Sequence, residues 1–337
     1  MRNFLIPILS TFVLGILTAL PAFANCDGGD LLAQMDAPDR ATLYEATNVH
    51  PFPEGNIWRA GKPGSVINVI GTFHLSDPRM APMMAQITPL LDQSEGLFVE
   101  ATLEDIAELE RRMASDTSIM LISEGPGLIE RLPEETWETL KAALEERNIP
   151  GFMATRMQPW FASMMLAMAP CVVQQMATDL DGIQNGLDRR IMSHAQDADI
   201  PTQRLEKVED VINLLAGDPI EEQIIGLKLG MLVYDNDSDA QFSTMKHSYF
   251  RGEHRLLWEY SLSNARNHPN APPELEALID ELEDALLIQR NLAWMEILLP
   301  EAVNGTYMVA VGAGHLSGEM GVLNLLKQRG YRLTRLD

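Results

Sequence analysis

Residues 66–70 read Val-Ile-Asn-Val-Ile, an apolar, strand-like run that Gly71-Thr72-Phe73-His74 follows directly. The arrangement returns near the other end of the chain, where Gly312-Ala313-Gly314-His315 follows the apolar run 307–311. A residue just beyond a buried strand lies at the carboxyl edge of an α/β sheet, where ligands and catalytic groups collect. A glycine ahead of it lets the backbone turn sharply or approach a ligand. The doubled pattern therefore predicts that folding brings His74 and His315 to one site.

The rest of the pattern predicts an α/β protein with a mixed, mainly parallel central sheet formed by the N- and C-terminal parts of the chain. The predicted strands are Leu43–Thr47, Asn56–Gly61, Ser65–Phe73, Gly96–Glu100, Thr202–Glu206, Thr306–Val311 and Tyr331–Leu336. Between the fourth and sixth of these the chain is mostly helical in pattern. Because the two halves of the sheet lie at opposite ends of the sequence, we predict a single domain over residues 25–337, with a large helical insertion at about 103–300.

Residues 1–24 have the pattern of a secretory signal peptide. Arg2 provides a positive start, Phe4 to Leu20 is apolar, and Ala22-Phe23-Ala24 has the small-x-small form of a cleavage site. No later apolar run approaches the ~20 residues that a spanning helix needs. We therefore expect a periplasmic or secreted protein with no membrane insertion after signal cleavage.

Charge and cysteine content narrow the partners and the compartment. The formal net charge is −23, and an acidic protein lacks the basic patches that nucleic acid and anionic membranes require. The chain contains two cysteines, Cys26 and Cys171. In an oxidising compartment they are expected to form a disulfide between the mature N-terminus and the middle of the chain, the alternative being two free thiols.

Three side chains at the predicted sheet edge form a candidate metal site. Glu100 ends the strand after that of His74, so His74, His315 and Glu100 would supply two imidazoles and a carboxylate, as in catalytic His₂Glu sites. A divalent ion there, among Zn, Mn and Co, would activate water and polarise a carbonyl. Glu206 is a further ligand or the general base in this hypothesis. Glu319 competes for that place, but a carboxylate at a helix start also favours the helix dipole.

Simpler interpretations stand beside the metal site. A histidine after a strand is often only a hydrogen-bonded turn residue, and Glu100 alone would attract no notice. The chain has neither the HExxH signature of zincins nor the Gly-x-Ser-x-Gly elbow of serine hydrolases. The hypothesis therefore depends on the two histidines meeting in the folded protein.

These residues resemble the TraB/GumN family, which also includes TraB, PrgY and the animal Tiki proteins. The likeness runs from about Leu43 to the C-terminus. It rests on the segments Gly71–Leu75, Phe98–Glu100, Gly186–Asp188, Leu205-Glu206, Arg290-Asn291 and Val311–Gly321. Tiki-like relatives are described as metal-dependent proteases, so the resemblance implies ligand or catalytic roles for His74, His315 and Glu100. It makes Arg290 a candidate to hold a carboxylate or to stabilise an oxyanion.

The leading hypothesis is an exported, metal-dependent hydrolase of the peptidase kind. It assigns the metal to His74, His315 and Glu100, and the catalytic roles to Glu100, Arg290 and Glu206. Its substrate would be a peptide or a small molecule. The rival is a non-catalytic periplasmic protein that binds a small ligand, a peptide or haem in the same cleft. The resemblance also extends to more distant relatives of similar fold, which include haem-binding ChaN-like proteins.

Overall fold

A computed structural model describes residue 26 and residues 28–233, 238–269 and 271–337. The predicted signal peptide lies outside these residues. Six strands form one sheet in the spatial order β4-β3-β5-β2-β1-β6. The strands are β1 (Ile57–Lys62), β2 (Ser65–Thr72), β3 (Leu97–Val99), β4 (Thr202–Arg204), β5 (Gly305–Gly312) and β6 (Arg332–Arg335).

The sheet is mixed, and its parallel part carries the edge of interest. β5 pairs in parallel with β2 on one side and β3 on the other, and β3 pairs in parallel with β4. β1 is antiparallel to both β2 and β6. In this register Thr72 lies opposite Gly312, and Val99 lies opposite Ala310. The segments carrying His74, Glu100 and His315 therefore leave the sheet at the same edge, and the predicted α/β class is confirmed.

Eighteen α-helices are found in the described residues. They are α1 (Leu31–Gln34), α2 (Ala37–Asn48), α3 (Met80–Leu91), α4 (Leu103–Ser115), α5 (Leu128–Arg131), α6 (Glu134–Glu145), α7 (Gly151–Ala154), α8 (Pro159–Ala167), α9 (Pro170–Met176), α10 (Leu180–Ile183), α11 (Leu187–Asp197), α12 (Val208–Ala216), α13 (Ile220–Val233), α14 (Ser238–Phe250), α15 (His254–Arg266), α16 (Leu275–Glu283), α17 (Gln289–Glu301) and α18 (Val322–Gln328). A π-helical turn, Asp284–Ile288, joins α16 to α17. None of the helices in the described part of the chain is long and apolar enough to cross a bilayer.

Both faces of the sheet are buried, which explains the nearly continuous apolar runs in β2 and β5. Successive strand side chains point to opposite faces. Val69 and Val309 therefore pack with α17 and α18 on one face, whereas Ile70, Met308 and Ala310 pack with α3 and α11 on the other. A separate apolar cluster, built mainly from α6, α8 and α13, fills the helical middle of the chain.

One predicted strand is wrong. Residues 43–47 lie in helix α2, which runs from Ala37 to Asn48 with a proline in its first turn. Leu43 and Thr47 are buried because residues four apart share one face of a helix. The strand that pairs with β1 on its outer side is β6 instead, from the C-terminus.

The predicted disulfide between Cys26 and Cys171 is confirmed. It joins the start of the described chain to α9, and the two Cα atoms are 5.9 Å apart. The bridge belongs to a small apolar cluster into which Phe73 and Leu75 also pack. The disulfide is therefore close to the residues on either side of His74.

Candidate functional site at the carboxyl edge of the sheet

Arg290, in the first turn of α17, forms the centre of the site. Its Nε donates to Glu206 Oε2 (2.9 Å), and its Nη2 donates to Glu206 Oε1 and to Glu100 Oε2 (2.8 Å). Its Nη1 donates to the carbonyl oxygen of Leu286 (3.1 Å) and contacts His315 Nε2 (3.2 Å). These five contacts match the five N–H donors of a guanidinium, so each donor has a partner here.

Glu100 follows β3 and is held on both sides. Its Oε1 accepts from the Gly312 N–H (2.6 Å), at the end of β5, and its Oε2 accepts from Arg290. Burial by itself would raise the pKa of this carboxyl group. Electrostatic interactions with His315, His74 and Arg290, together with the Gly312 hydrogen bond, outweigh burial and lower the pKa of Glu100 below its usual value. Glu100 is therefore a carboxylate at neutral pH.

Glu206 approaches Arg290 from the other side. It follows β4, and its Oε2 also accepts a hydrogen bond from Trp294 Nε1 (3.3 Å). The guanidinium carbon of Arg290 lies 5.0 Å from the centre of the Trp294 ring, within the range of a cation–π contact. Arg290 and Trp294 are four residues apart on α17, so one turn of this helix positions both groups.

His315 is buried, and both its ring nitrogens are engaged. Nδ1 lies 2.8 Å from Asn291 Oδ1, and Nε2 lies 3.2 Å from Arg290 Nη1. Because a guanidinium can only donate, we assign the neutral tautomer in which Nε2 accepts and the Nδ1–H donates to Asn291. Burial, reinforced by the charges of Arg290 and His74, lowers the pKa of His315 to about 4. His315 is therefore neutral at physiological pH.

His74 differs from His315 in every one of these respects. Its side chain is 67% exposed, and Nδ1 lies 3.3 Å from Asp188 Oδ2. The hydrogen bond to Asp188 is the largest influence and raises the pKa of His74, although solvent screens part of the attraction. The environments of His74 and His315 thus shift their pKa values in opposite directions, which is typical of sites for acid–base chemistry.

The contact between His74 and Asp188 depends on a close approach of two backbone segments. Asp188 is in the first turn of α11, and the Leu187 N–H donates to the Phe73 carbonyl oxygen (2.9 Å). A Cβ atom on Gly186 would lie 2.3 Å from the carbonyl carbon of His74. Glycine is therefore required at position 186 if α11 is to bring Asp188 to the histidine.

The structure brings four of the predicted residues into one hydrogen-bonded network, namely Glu100, Glu206, Arg290 and His315. His74 lies outside that network, but Glu100 and Arg290 both influence its pKa. In the described part of the chain, no three His, Cys, Asp or Glu side chains are placed to hold a metal ion. Glu100 and His315 face Arg290 instead of a shared centre. The ligand set His74, His315 and Glu100 thus finds no support in this geometry and stays a prediction.

Comparison with known proteins identifies the family. A family model described as the TraB/PrgY/gumN family matches residues 56–335, from just before β1 to the end of β6. This chain belongs to the TraB/PrgY/gumN family. The resemblance predicted from the sequence is thereby confirmed.

Two relatives are similar to this chain over most of its length. An uncharacterized protein YbaP from Shigella flexneri is 26% identical over 293 residues, 85% of this chain and 97% of that protein. An uncharacterized protein YbaP from Escherichia coli strain K12 is 25% identical over 265 residues, 77% of this chain and 87% of that protein. A metalloprotease TIKI homolog from Amphimedon queenslandica is 36% identical over 67 residues, which are 19% of this chain and 13% of that protein.

Three residues of the site in this family member were missed from the sequence. Asp188 and Asn291 lie in segments that carried the family resemblance, but nothing in the sequence assigned them a role. Trp294 has a weak signal, since residues four apart on a helix share a face and Arg290 precedes it by four. Each of the three holds a predicted residue in place, and Asp188 holds the exposed one.

Proposed function

We propose that this family member is a hydrolase that cleaves peptide bonds at the carboxyl edge of the sheet. The observation that carries the proposal is an exposed histidine, His74, whose Nδ1 is held by the carboxylate of Asp188. A carboxylate in this position fixes the ring and its tautomer and leaves Nε2 free to exchange a proton with water or substrate. The name of the TIKI homolog, similar over a short segment, supports the same reaction class.

The proposed reaction uses His74 in both protonation states. Neutral His74 takes a proton from water as the water oxygen attacks the peptide carbonyl carbon. The imidazolium then returns a proton to the leaving nitrogen as the carbon–nitrogen bond breaks. The Arg290 charge attracts the negative charge that develops on the carbonyl oxygen. Because all five Arg290 N–H groups have partners, this attraction acts without a direct hydrogen bond.

A metal-dependent reaction, with His74 as a ligand, is the alternative to this acid–base use of His74, and we test it directly. A divalent ion bound by His74, His315 and Glu100 would require Arg290 to release Glu100 and His315. Metal analysis of protein purified without chelator decides the point. Stoichiometric zinc, manganese or cobalt in the wild type, lost in the double variant His74→Ala/His315→Ala, is the result expected of a metalloenzyme.

We also propose export to the periplasm or the cell exterior. The Cys26–Cys171 disulfide supports this location, because such bonds persist in oxidising compartments. Fractionation of cells that express the full chain tests it. Recovery of the protein in the cytoplasmic fraction with residues 1–24 still attached would contradict export.

The catalytic proposal is tested by cleavage of a mixture of random-sequence decapeptides, followed by mass spectrometry. Loss of a general acid–base group typically costs about 10²–10⁴-fold in rate, so His74→Ala should lower kcat/KM by that factor. His194→Ala is the matched control, because His194, in the last turn of α11, also pairs with an aspartate, Asp92, at the end of α3 (2.7 Å). It should leave cleavage unchanged.

The alternative function is ligand binding without turnover. A cavity of about 960 Å³ borders the site and would accommodate a small ligand, a peptide or haem. Protein that retains a ligand or a colour through purification, and that leaves every decapeptide intact, would favour this alternative over the hydrolase. If His74→Ala cleaves the decapeptides as fast as the wild type, the proposed catalytic role of His74 is wrong.

A further inference from the structure

Strand β4 is the open edge of the sheet beside the site. It is the terminal strand in the sheet order and pairs only with β3 among the described strands. The Leu97 N–H donates to the Pro201 carbonyl oxygen (2.8 Å), and the Leu205 N–H donates to the Val99 carbonyl oxygen (2.7 Å). Alternate residues of a strand direct their backbone groups to opposite sides. The N–H and C=O groups of Thr202 and Arg204 therefore point away from the sheet.

The large cavity runs along this strand and reaches the catalytic network. Its walls include every residue from Thr202 to Lys207, among them Glu206 of the site, and also Arg290 and Trp294. A strand advances about 3.3 Å per residue, so Arg204 is only about 7 Å along the chain from Glu206. A chain lying against β4 would thus continue directly into the network.

The side walls of the cavity suit an extended peptide. The lining includes apolar side chains from two helices, Val211 and Leu214 of α12 and Ala293 and Ile297 of α17. These apolar side chains line the same cavity as the edge strand, which offers the outward backbone donors and acceptors of Thr202 and Arg204. Main-chain pairing gives affinity for any sequence, and pockets for alternate side chains add selectivity.

We propose that the substrate is an extended polypeptide that pairs with β4 as an additional strand and places apolar side chains, at every second position, against α12 and α17. The inference rests on the proposed function, since it supplies the substrate class for that hydrolase. The outward groups of Thr202 and Arg204 form the new ladder, and the paired segment leads the scissile bond towards His74 and Arg290.

The first test is amide hydrogen exchange of the wild type, with and without a saturating decapeptide mixture that has leucine at every second position and random residues elsewhere. Exchange at Thr202 and Arg204 should slow on addition of peptide. Exchange at Gln203 should not change, since its N–H is already turned towards β3. Unchanged exchange at Thr202 and Arg204 would overturn the proposal, also if the reason is that the peptides do not bind.

The second test removes one outward donor. Thr202→Pro removes the N–H that points away from β3, and a proline at such a position is tolerated in an edge strand. The control Thr202→Val keeps the N–H and has a side chain of similar shape. Loss of one hydrogen bond should weaken decapeptide binding about three- to tenfold in Thr202→Pro relative to Thr202→Val. Equal affinities of two folded variants would count against pairing with β4. Tighter binding of a mixture with aspartate at the alternate positions would refute the apolar preference.

These readouts are independent of turnover. Slowed exchange without cleavage would leave the docking inference standing and remove the hydrolase. Cleavage of the decapeptides with no change in exchange at β4 would do the reverse.

Discussion

Replacing Arg290 with methionine provides the sharpest test of the site, because methionine keeps much of the length and removes the charge. The substitution leaves Glu100 and Glu206 without their shared partner, and their side chains are only 21% and 12% exposed. Loss of one member of a buried ion pair costs about 3–5 kcal/mol. Because some solvent reaches this pair, we expect a loss of about 3 kcal/mol in the free energy of unfolding at pH 7.

The size of this loss should depend on pH in a defined direction. The pKa of Glu100 is lowered in the folded protein, so its pairing contributes stability above the ordinary glutamate pKa. That contribution is lost as the pH falls through the lowered value. The wild type should therefore lose more stability than Arg290→Met between pH 7 and pH 4, and the difference between them should shrink.

Urea unfolding with the disulfide intact measures both effects. The control is Arg266→Met, which breaks an ion pair with Glu276 whose side chains are 42% and 63% exposed. An exposed pair contributes about 0.2–1 kcal/mol. If Arg290→Met costs no more than Arg266→Met, or if its cost is equal at pH 7 and pH 4, Arg290 is not the organising charge of the site.

Three further predictions concern the surroundings of His74. Asp188→Asn should move the midpoint of the His74 titration, followed by NMR, to lower pH, and a midpoint that does not move would contradict the pairing. Because His74 acts as a base only when neutral, the rise in cleavage rate with pH should also move to lower pH. Gly186→Ala should lower both the free energy of unfolding and the activity, since the new Cβ would collide with the His74 carbonyl group. The control Gly226→Ala, with no atom of the described residues outside α13 within 4 Å of the new Cβ, should instead stabilise α13 by about 0.5–1 kcal/mol. Cys26→Ser/Cys171→Ser should lower the free energy of unfolding by about 2–5 kcal/mol, and an unchanged midpoint in thermal or urea unfolding would contradict a stabilising bridge. The double variant should also lower activity, because the bridge packs near Phe73 and Leu75 on either side of His74.

The sequence by itself determined the fold class, the family and the edge of the sheet at which the site lies. β2 and β5 could be recognised because both of their faces are buried, so their sequences are continuous apolar runs bounded by glycine. The same glycine–histidine spacing after both strands correctly placed His74 and His315 at one edge. The disulfide was predicted from two cysteines in a chain for which export is also predicted.

Only the tertiary structure decided what those residues do to each other. A strand pattern fixes where a residue leaves the sheet, but not which side chain from a distant helix reaches it. α17 brings Arg290 between Glu100, Glu206 and His315, and α11 brings Asp188 to His74. The error at residues 43–47 has a similar origin, since a short run of mixed polarity has no preference strong enough to resist its packing environment. The two histidines look alike in the sequence, but burial lowers the pKa of His315, whereas the Asp188 carboxylate raises the pKa of His74.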